Sequence, residues 1–264
     1  MKRVLVVALS MLGVLLLLQP AMADVTMQVI NSPTGDILGG VYTSPYTIDV
    51  TDSSGKTTTT SALALACDDF TTDIYFGYTW TANLYTLGEV TNSGPQKFTT
   101  GSADVYVPDS TDDSSTLLGT YSAYEEYYAA AVLADDLLYG SLGQRLAEDY
   151  SFAIWQIFDQ FAYLGYGGNG LGPTDRGAVA AAMTGALAQA VTNSPLPYTL
   201  DIYTPCGGPS GCGTPGQNST MGPNVSQEFL GISVPEGSAL PFLPFDMLAL
   251  FGGVFLVRRR ILAS

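Results

Sequence analysis

Cysteines, paired carboxylates and one glycine-rich stretch are the features of this sequence whose types and spacing could do chemistry. Histidine is absent from all 264 residues, so no Ser-His-Asp or Cys-His couple and no His-containing zinc site can be built. Three cysteines are too few for a four-cysteine zinc site within one chain. Cys67 stands in Leu65-Ala66-Cys67-Asp68-Asp69-Phe70, where two adjacent carboxylates oppose formation of a thiolate. The expectation is a buried strand cysteine acting as a small hydrophobe. Cys206 and Cys212 bracket five loop-forming residues. In an oxidising compartment that spacing predicts a mutual disulfide closing a small loop, with Cys67 left free.

Carboxylates occur as neighbours at Asp68/Asp69, Asp112/Asp113, Glu125/Glu126, Asp135/Asp136 and Glu148/Asp149. General acid–base work needs two acids facing one another across a cleft, which sequence neighbours on a helix do not. These pairs are read as solvated surface. Asp109 to Asp113 supplies hard oxygens of the kind Ca²⁺ prefers, without the spacing or central glycine of an EF-hand. Gly165-Tyr166-Gly167-Gly168-Asn169-Gly170 matches G-x-G-x-x-G, but it follows a helix instead of a strand and no βαβ unit surrounds it. It is read as a helix-ending loop. No catalytic set, metal site or cofactor is expected.

The elements that must position these residues change period along the chain. Val25 to Ile30, Tyr46 to Val50, Leu63 to Phe70 and Tyr78 to Leu87 are β-branched and aromatic runs separated by Gly/Pro/Asn/Ser turns, which predicts strands. Asp109 to Ser115 is an acidic loop. Tyr124, Tyr127, Ala131, Ala134 and Leu138 then share one helical face, ended by Gly140. Ala147, Tyr150, Ile154, Ile157, Phe161 and Leu164 mark a second helix. Pro173-Thr174-Asp175 starts a third, Ala-rich helix running to about Val191 and stopped by Asn193-Ser194-Pro195. Strands return at Tyr198 to Tyr203 and Gln227 to Val234. The fold class is α+β: a β-rich N-terminal part, barrel or sandwich-like, with a three-helix insertion and returning strands.

Charge restricts the partners. Nine Lys+Arg stand against 24 Asp+Glu, a net of −15. Five of the bases (Lys2, Arg3, Arg258, Arg259, Arg260) and two of the acids (Glu236, Asp246) lie at the ends, leaving four bases against 22 acids in residues 24–233. Such a surface repels phosphate backbones, so nucleic acid is not a partner.

Both ends read as addresses. Met1-Lys2-Arg3, apolar Val4 to Leu18 and Ala21-Met22-Ala23 form the n-region, h-region and cleavage site of a signal peptide, 1–23, with Asp24 as the new N-terminus. At the other end, Ala239 to Val257 is long enough to cross a bilayer as a helix, and Arg258-Arg259-Arg260 would stay on its cytoplasmic side. Asp246, Pro241 and Pro244 make it a mediocre permanent anchor.

Val234-Pro235-Glu236-Gly237, the hydrophobic segment and the arginine cluster together resemble the PEP-CTERM sorting signal of Gram-negative bacteria, with Gly237 where that signal has its second proline. The resemblance covers 234–264 and implies processing by an exosortase after signal peptidase has acted. The domain, 24–233, would be exported across the inner membrane and released to the cell surface or exterior. Without tail processing it would stay anchored to the inner membrane with the domain in the periplasm.

A second resemblance joins Cys67-Asp68-Asp69-Phe70 to Tyr150-Ser151-Phe152-Ala153-Ile154-Trp155. The pairing is similar to the thioester domains of bacterial surface adhesins, in which a strand Cys condenses with a helix Gln. Aligned on Trp155, that Gln position is Ser151, which has no side-chain carbonyl. The resemblance therefore implies a degenerate pair, Cys67 and Ser151, as spatial neighbours without the bond. Gln156 lies about 140° further round the helix and points elsewhere. The segments Cys-Asp-Asp-Phe and Ala-Ile-Trp are similar, too, to those of exported PEP-CTERM proteins.

The function expected is a non-enzymatic surface or extracellular-matrix protein, structural or adhesive, meeting surface polysaccharide or its own copies. The alternative is a secreted carboxylate-dependent polysaccharide hydrolase, which needs only two acids about 5–10 Å apart in one cleft. N-terminal sequencing of exported protein is expected to begin at Asp24, and its intact mass in an exosortase-bearing host to lack Arg258–Arg260. A retained Met1 or a retained arginine cluster would contradict the respective signal.

Overall fold

The computed structural model describes residues 24–31, 37–52, 62–72, 74, 76–94, 96–98, 102–206 and 227–233. The signal residues through Ala23, including Ala21, lie outside these, as do Cys212 and the tail from Val234 through Pro235, Glu236, Gly237 and Arg258–Arg260. Among the described residues no helix is long and apolar enough to cross a membrane.

Six strands close into an antiparallel barrel in the order β1 (Asp24–Asn31), β4 (Tyr46–Asp52), β5 (Leu63–Cys67), β10 (Phe229–Ser233), β9 (Thr199–Pro205) and β6 (Thr79–Thr86). The short hairpin β2 (Ile37–Leu38) and β3 (Val41–Tyr42) and the hairpin β7 (Ala103–Pro108) and β8 (Ser115–Tyr121) stand apart from it. Three helices, α1 (Ala123–Tyr139), α2 (Gln144–Phe158) and α3 (Pro173–Thr192), pack on one another, and α1 and α2 reach β5. The class is mixed α+β, and the β-rich part is a barrel.

Period-2 alternation divides the strands between two cores. Val25, Met27, Val29, Ile48, Leu65, Cys67, Trp80, Ala82, Tyr203 and Phe229 form one cluster. Their neighbours Ala66, Tyr85, Leu200, Ile202, Leu230 and Ile232 join the apolar faces of the helices in the other. Gly231 sits between Leu65 and Tyr203, and a Cβ there would stand 3.0 Å from Leu65 Cδ2. Only a residue without a side chain leaves that packing undisturbed.

The helix ends follow local chemistry. Ser122 caps α1 through a capping box: its hydroxyl accepts from the Glu125 N–H, while the Glu125 carboxylate accepts from the Ser122 N–H at 2.8 Å. Asn193 closes α3 in the left-handed conformation. The second helix ends earlier than its periodicity suggests. It stops at Phe158, and Phe161 and Leu164 lie beyond it, exposed, the latter in a short 3₁₀ turn. Gln156 is the cause. Its amide donates to Gln160 O at 2.8 Å and Tyr106 O at 3.0 Å, and its carbonyl accepts from the Tyr163 N–H at 3.1 Å. These bonds take the place of continued helical pairing.

Strand β5 likewise ends at Cys67 instead of Phe70, and the Gly165–Gly170 loop packs against the β2–β3 turn, with the Tyr166 N–H donating to Gly39 O at 2.8 Å.

Glu126 in α1 is 2% exposed and its Oε1 has no partner. Burial, aided by Glu125, pushes its carboxyl up from 4.5 to about 8. The folded state holds a proton there that the unfolded chain releases, so this contribution is full below the unfolded value and is lost as pH rises toward 8. Between pH 5 and 8 the protein is expected to lose roughly 3–4 kcal/mol more unfolding free energy than Glu126→Gln. Urea titrations at the two pH values measure this, and parallel losses in both proteins would contradict it.

Candidate functional site

The chemistry-bearing residues converge at the end of β5. Its pairing with β10 sets Cys67 opposite Phe229, and β10 sets Phe229 opposite Tyr203. One residue further along each strand, the same cross-strand row carries Asp68, Glu228 and Thr204, with the Asp68 N–H reaching Glu228 O at 3.5 Å. All three are buried. Two carboxyls side by side on one sheet face repel, so one should keep its proton.

Glu228 is the better solvated of the two by protein groups. Its carboxylate accepts from the Tyr127 hydroxyl of α1, from the Thr204 hydroxyl and, at 3.1 Å, from the Lys97 backbone N–H. Asp68 has no such donors, and neither of its oxygens reaches hydrogen-bond geometry with any partner. Burial first, then the facing Glu228, push the Asp68 carboxyl well above the usual carboxylate range. Asp68 thus holds its proton more tightly than an ordinary carboxyl does.

The loop after β5 carries Asp69, whose side chain is sealed from solvent. Its Oδ1 accepts from the Thr71 N–H and hydroxyl, both at 3.0 Å. Its Oδ2 meets the Lys97 ammonium, which also donates to Thr72 Oγ1 at 3.1 Å. Gln227 fastens the loop from the next strand, its amide donating to Asp69 O at 3.2 Å and to Thr72 O. Burial lowers the Lys97 amine, against the raising pull of Asp68 and Glu228.

On the other side of the strand, Cys67 is fully buried and free. Its N–H donates to Ser44 Oγ at 2.9 Å, and the Ser44 N–H donates to Ser151 Oγ at 3.0 Å. Cys67 and Ser151, a strand and a helix residue, are therefore both tied to the same serine. The Ser151 hydroxyl is in reach of two carbonyls, Ala147 O at 3.2 Å and Ser44 O at 3.5 Å. The thiol contacts Asp69 O at 3.3 Å. Burial first, then the adjacent Asp68, raise the thiol well above its ordinary range. The Trp155 indole opposes them, although its N–H falls short of full hydrogen-bond geometry. A thiol so placed is a poor nucleophile.

The carboxylate pairs do not all lie on solvated surface. Asp68, Asp69, Glu126, Glu148 and Asp149 are buried, against the sequence expectation, because each lies on the face of its element that meets the domain interior. Burial, then Asp175, push Asp149 up to about 6. Exposed Arg145 bridges Glu148 and Asp175, and Arg176 pairs with Asp113. Asp109 is capped by Thr111 and Asp112 by the Ser114 N–H. Among the described residues no three such side chains converge in a group able to hold a metal ion. Cys206 is disulfide-bonded.

Sequence reasoning did not reach Ser44, Lys97, Tyr127, Thr204, Gln227 or Glu228. The scarcity of bases was the available signal for Lys97. With 22 acids competing for four bases, each base should be committed, and among the described residues Lys97, Arg145 and Arg176 all are.

Comparison of the chain with known protein families, with curated proteins and with solved structures finds no match.

Ser151→Ala would strand the buried Ser44 N–H. It is expected to lower unfolding free energy by about 1–3 kcal/mol, read from urea titration. An unchanged midpoint would mean that the Ser44–Ser151 bond contributes nothing.

Proposed function

We propose that this chain is an exported, non-catalytic surface or extracellular-matrix protein, structural or adhesive. One observation carries the reading: its reactive side chains are sealed. Cys67, Ser151 and Glu228 are 0% exposed, and Asp68 and Asp69 are 1% exposed. Asp68 and Glu228, facing one another across β5 and β10, are buried beneath helix α1 and offer no cleft to a polysaccharide chain, which a hydrolase requires.

Export and sorting rest on the two ends of the sequence, the signal peptide through Ala23 and the PEP-CTERM-like tail from Val234 to Arg260. The likeness to thioester-domain adhesins draws support from the Cys67–Ser44–Ser151 arrangement. In this reading the domain keeps the scaffold, while serine, lacking an acyl group, turns the reactive pair into a structural one. Signal peptidase and exosortase are its processing partners.

A neutral sugar surface suits it better than an anionic one, given the net charge of −15. A hollow of about 320 Å³ lined by Tyr124, Tyr128, Tyr198 and Asn193 offers aromatic faces for such a partner.

Cell fractionation tests the reading. The protein is expected in the surface or matrix fraction, with the purified material releasing no reducing ends from the host's own exopolysaccharide. Retention in the cytoplasm, or steady release of reducing ends abolished by Asp68→Asn, would contradict it.

A further inference from the structure

The contact between Lys97 and Asp69 has features that a plain ion pair does not need. The lysine side chain is 11% exposed and the carboxylate 0%, so both partners have given up water, a cost that Coulomb attraction alone often fails to offset. Asp69 pairs with this base, and Asp68 and Glu228 are near enough to pull on it electrostatically. The two oxygens of Asp69 are treated differently. Oδ1 is held by two donors from Thr71 at 3.0 Å each, while Oδ2 faces the Lys97 nitrogen. The buried carboxyls of Asp68 and Glu228 stand nearby, with the Lys97 backbone N–H donating to Glu228.

We propose that Lys97 and Asp69 become joined by an intramolecular amide between Nζ and Cγ, formed by the folded chain itself. In the dry site the ion pair transfers a proton internally, giving a neutral amine and a carboxylic acid. Desolvation, which lowers the Lys97 amine, favours that form. The nitrogen lone pair attacks Cγ. Developing negative charge on Oδ1 is met by the Thr71 N–H and hydroxyl. The proton that nitrogen sheds passes to the Oδ2 hydroxyl, which makes it water. The Cγ–Oδ2 bond breaks and water leaves. The balance is one amine and one carboxylic acid converted to one amide and one water, with no oxidant or cofactor. Two buried opposite charges disappear in the process, and the apolar surroundings of Phe98, which stacks on Phe158 at 4.7 Å, keep hydrolytic water out. The product is a covalent loop across 28 positions of sequence. This inference does not rest on the export reading.

The sequence makes the test direct. Lys56, Lys97 and Arg145 are consecutive trypsin sites, and an amidated Lys97 is not cut. Purified wild-type protein, reduced, unfolded and digested, is expected to yield Thr57–Arg145 as one peptide lighter by one water. Chymotrypsin should then return the Asp69 and Lys97 segments still linked. Full cleavage after Lys97 with unaltered masses would overturn the proposal. Lys97→Arg should restore cleavage and the full mass, and a water loss persisting there would place the dehydration elsewhere and equally overturn it. Asp69→Asn should close the same bond with loss of ammonia instead of water.

Discussion

Burial of carboxylates at the end of β5 is the constraint on which this structure depends. Closing a six-stranded barrel against three helices brings Asp68, Glu228 and Thr204 into one cross-strand row beneath α1. A charge there must be hydrogen-bonded, paired or neutralised, and the protein uses all three remedies. Tyr127, Thr204 and the Lys97 backbone solvate Glu228, protonation neutralises Asp68, and the Lys97 side chain answers Asp69. Removing any one member would leave a neighbour without its partner, so the network specifies how β5, β9, β10, α1 and the 96–98 segment fit together.

The same junction has a second, weakly polar side. Ser44 accepts from the Cys67 N–H and donates to Ser151, linking the chain before β4 to strand β5 and helix α2. Aromatic packing closes it over: Phe70, Phe152 and Trp155 lie with ring centroids 5.0–6.0 Å apart. A cysteine enclosed in this way serves as filler for the barrel interior. Its neighbours Asp68 and Asp69 face the charged side, so adjacent residues of one short segment serve two different environments.

Much of the framework was legible because burial leaves a period. The barrel strands of 25–30, 46–50 and 79–86 show alternation, and α1 and α3 show 3–4 spacing with their stop signals at Gly140 and Asn193. Strand β8 was not legible, since none of its residues is buried and an unburied strand carries no apolar alternation. The end of α2 was hidden for the opposite reason. Apolar spacing continues to Leu164, while one side chain, Gln156, supplies the bonds that divert the backbone. Of the site, Cys67 and Ser151 stood out by motif. Glu228 and Lys97 did not, because a lone acid beside a strand and a lone lysine in a loop look like solvent-exposed residues until barrel closure brings them together.

These groups are enclosed and inaccessible in the folded protein. Thiol labelling at Cys67 as a function of urea tests it most directly, with the modified peptide identified after each reaction. Enclosure requires negligible labelling without denaturant and a logarithmic rate that rises with the full slope of global unfolding. Rapid labelling in buffer, independent of urea through the native baseline, would show an open site and contradict the enclosure.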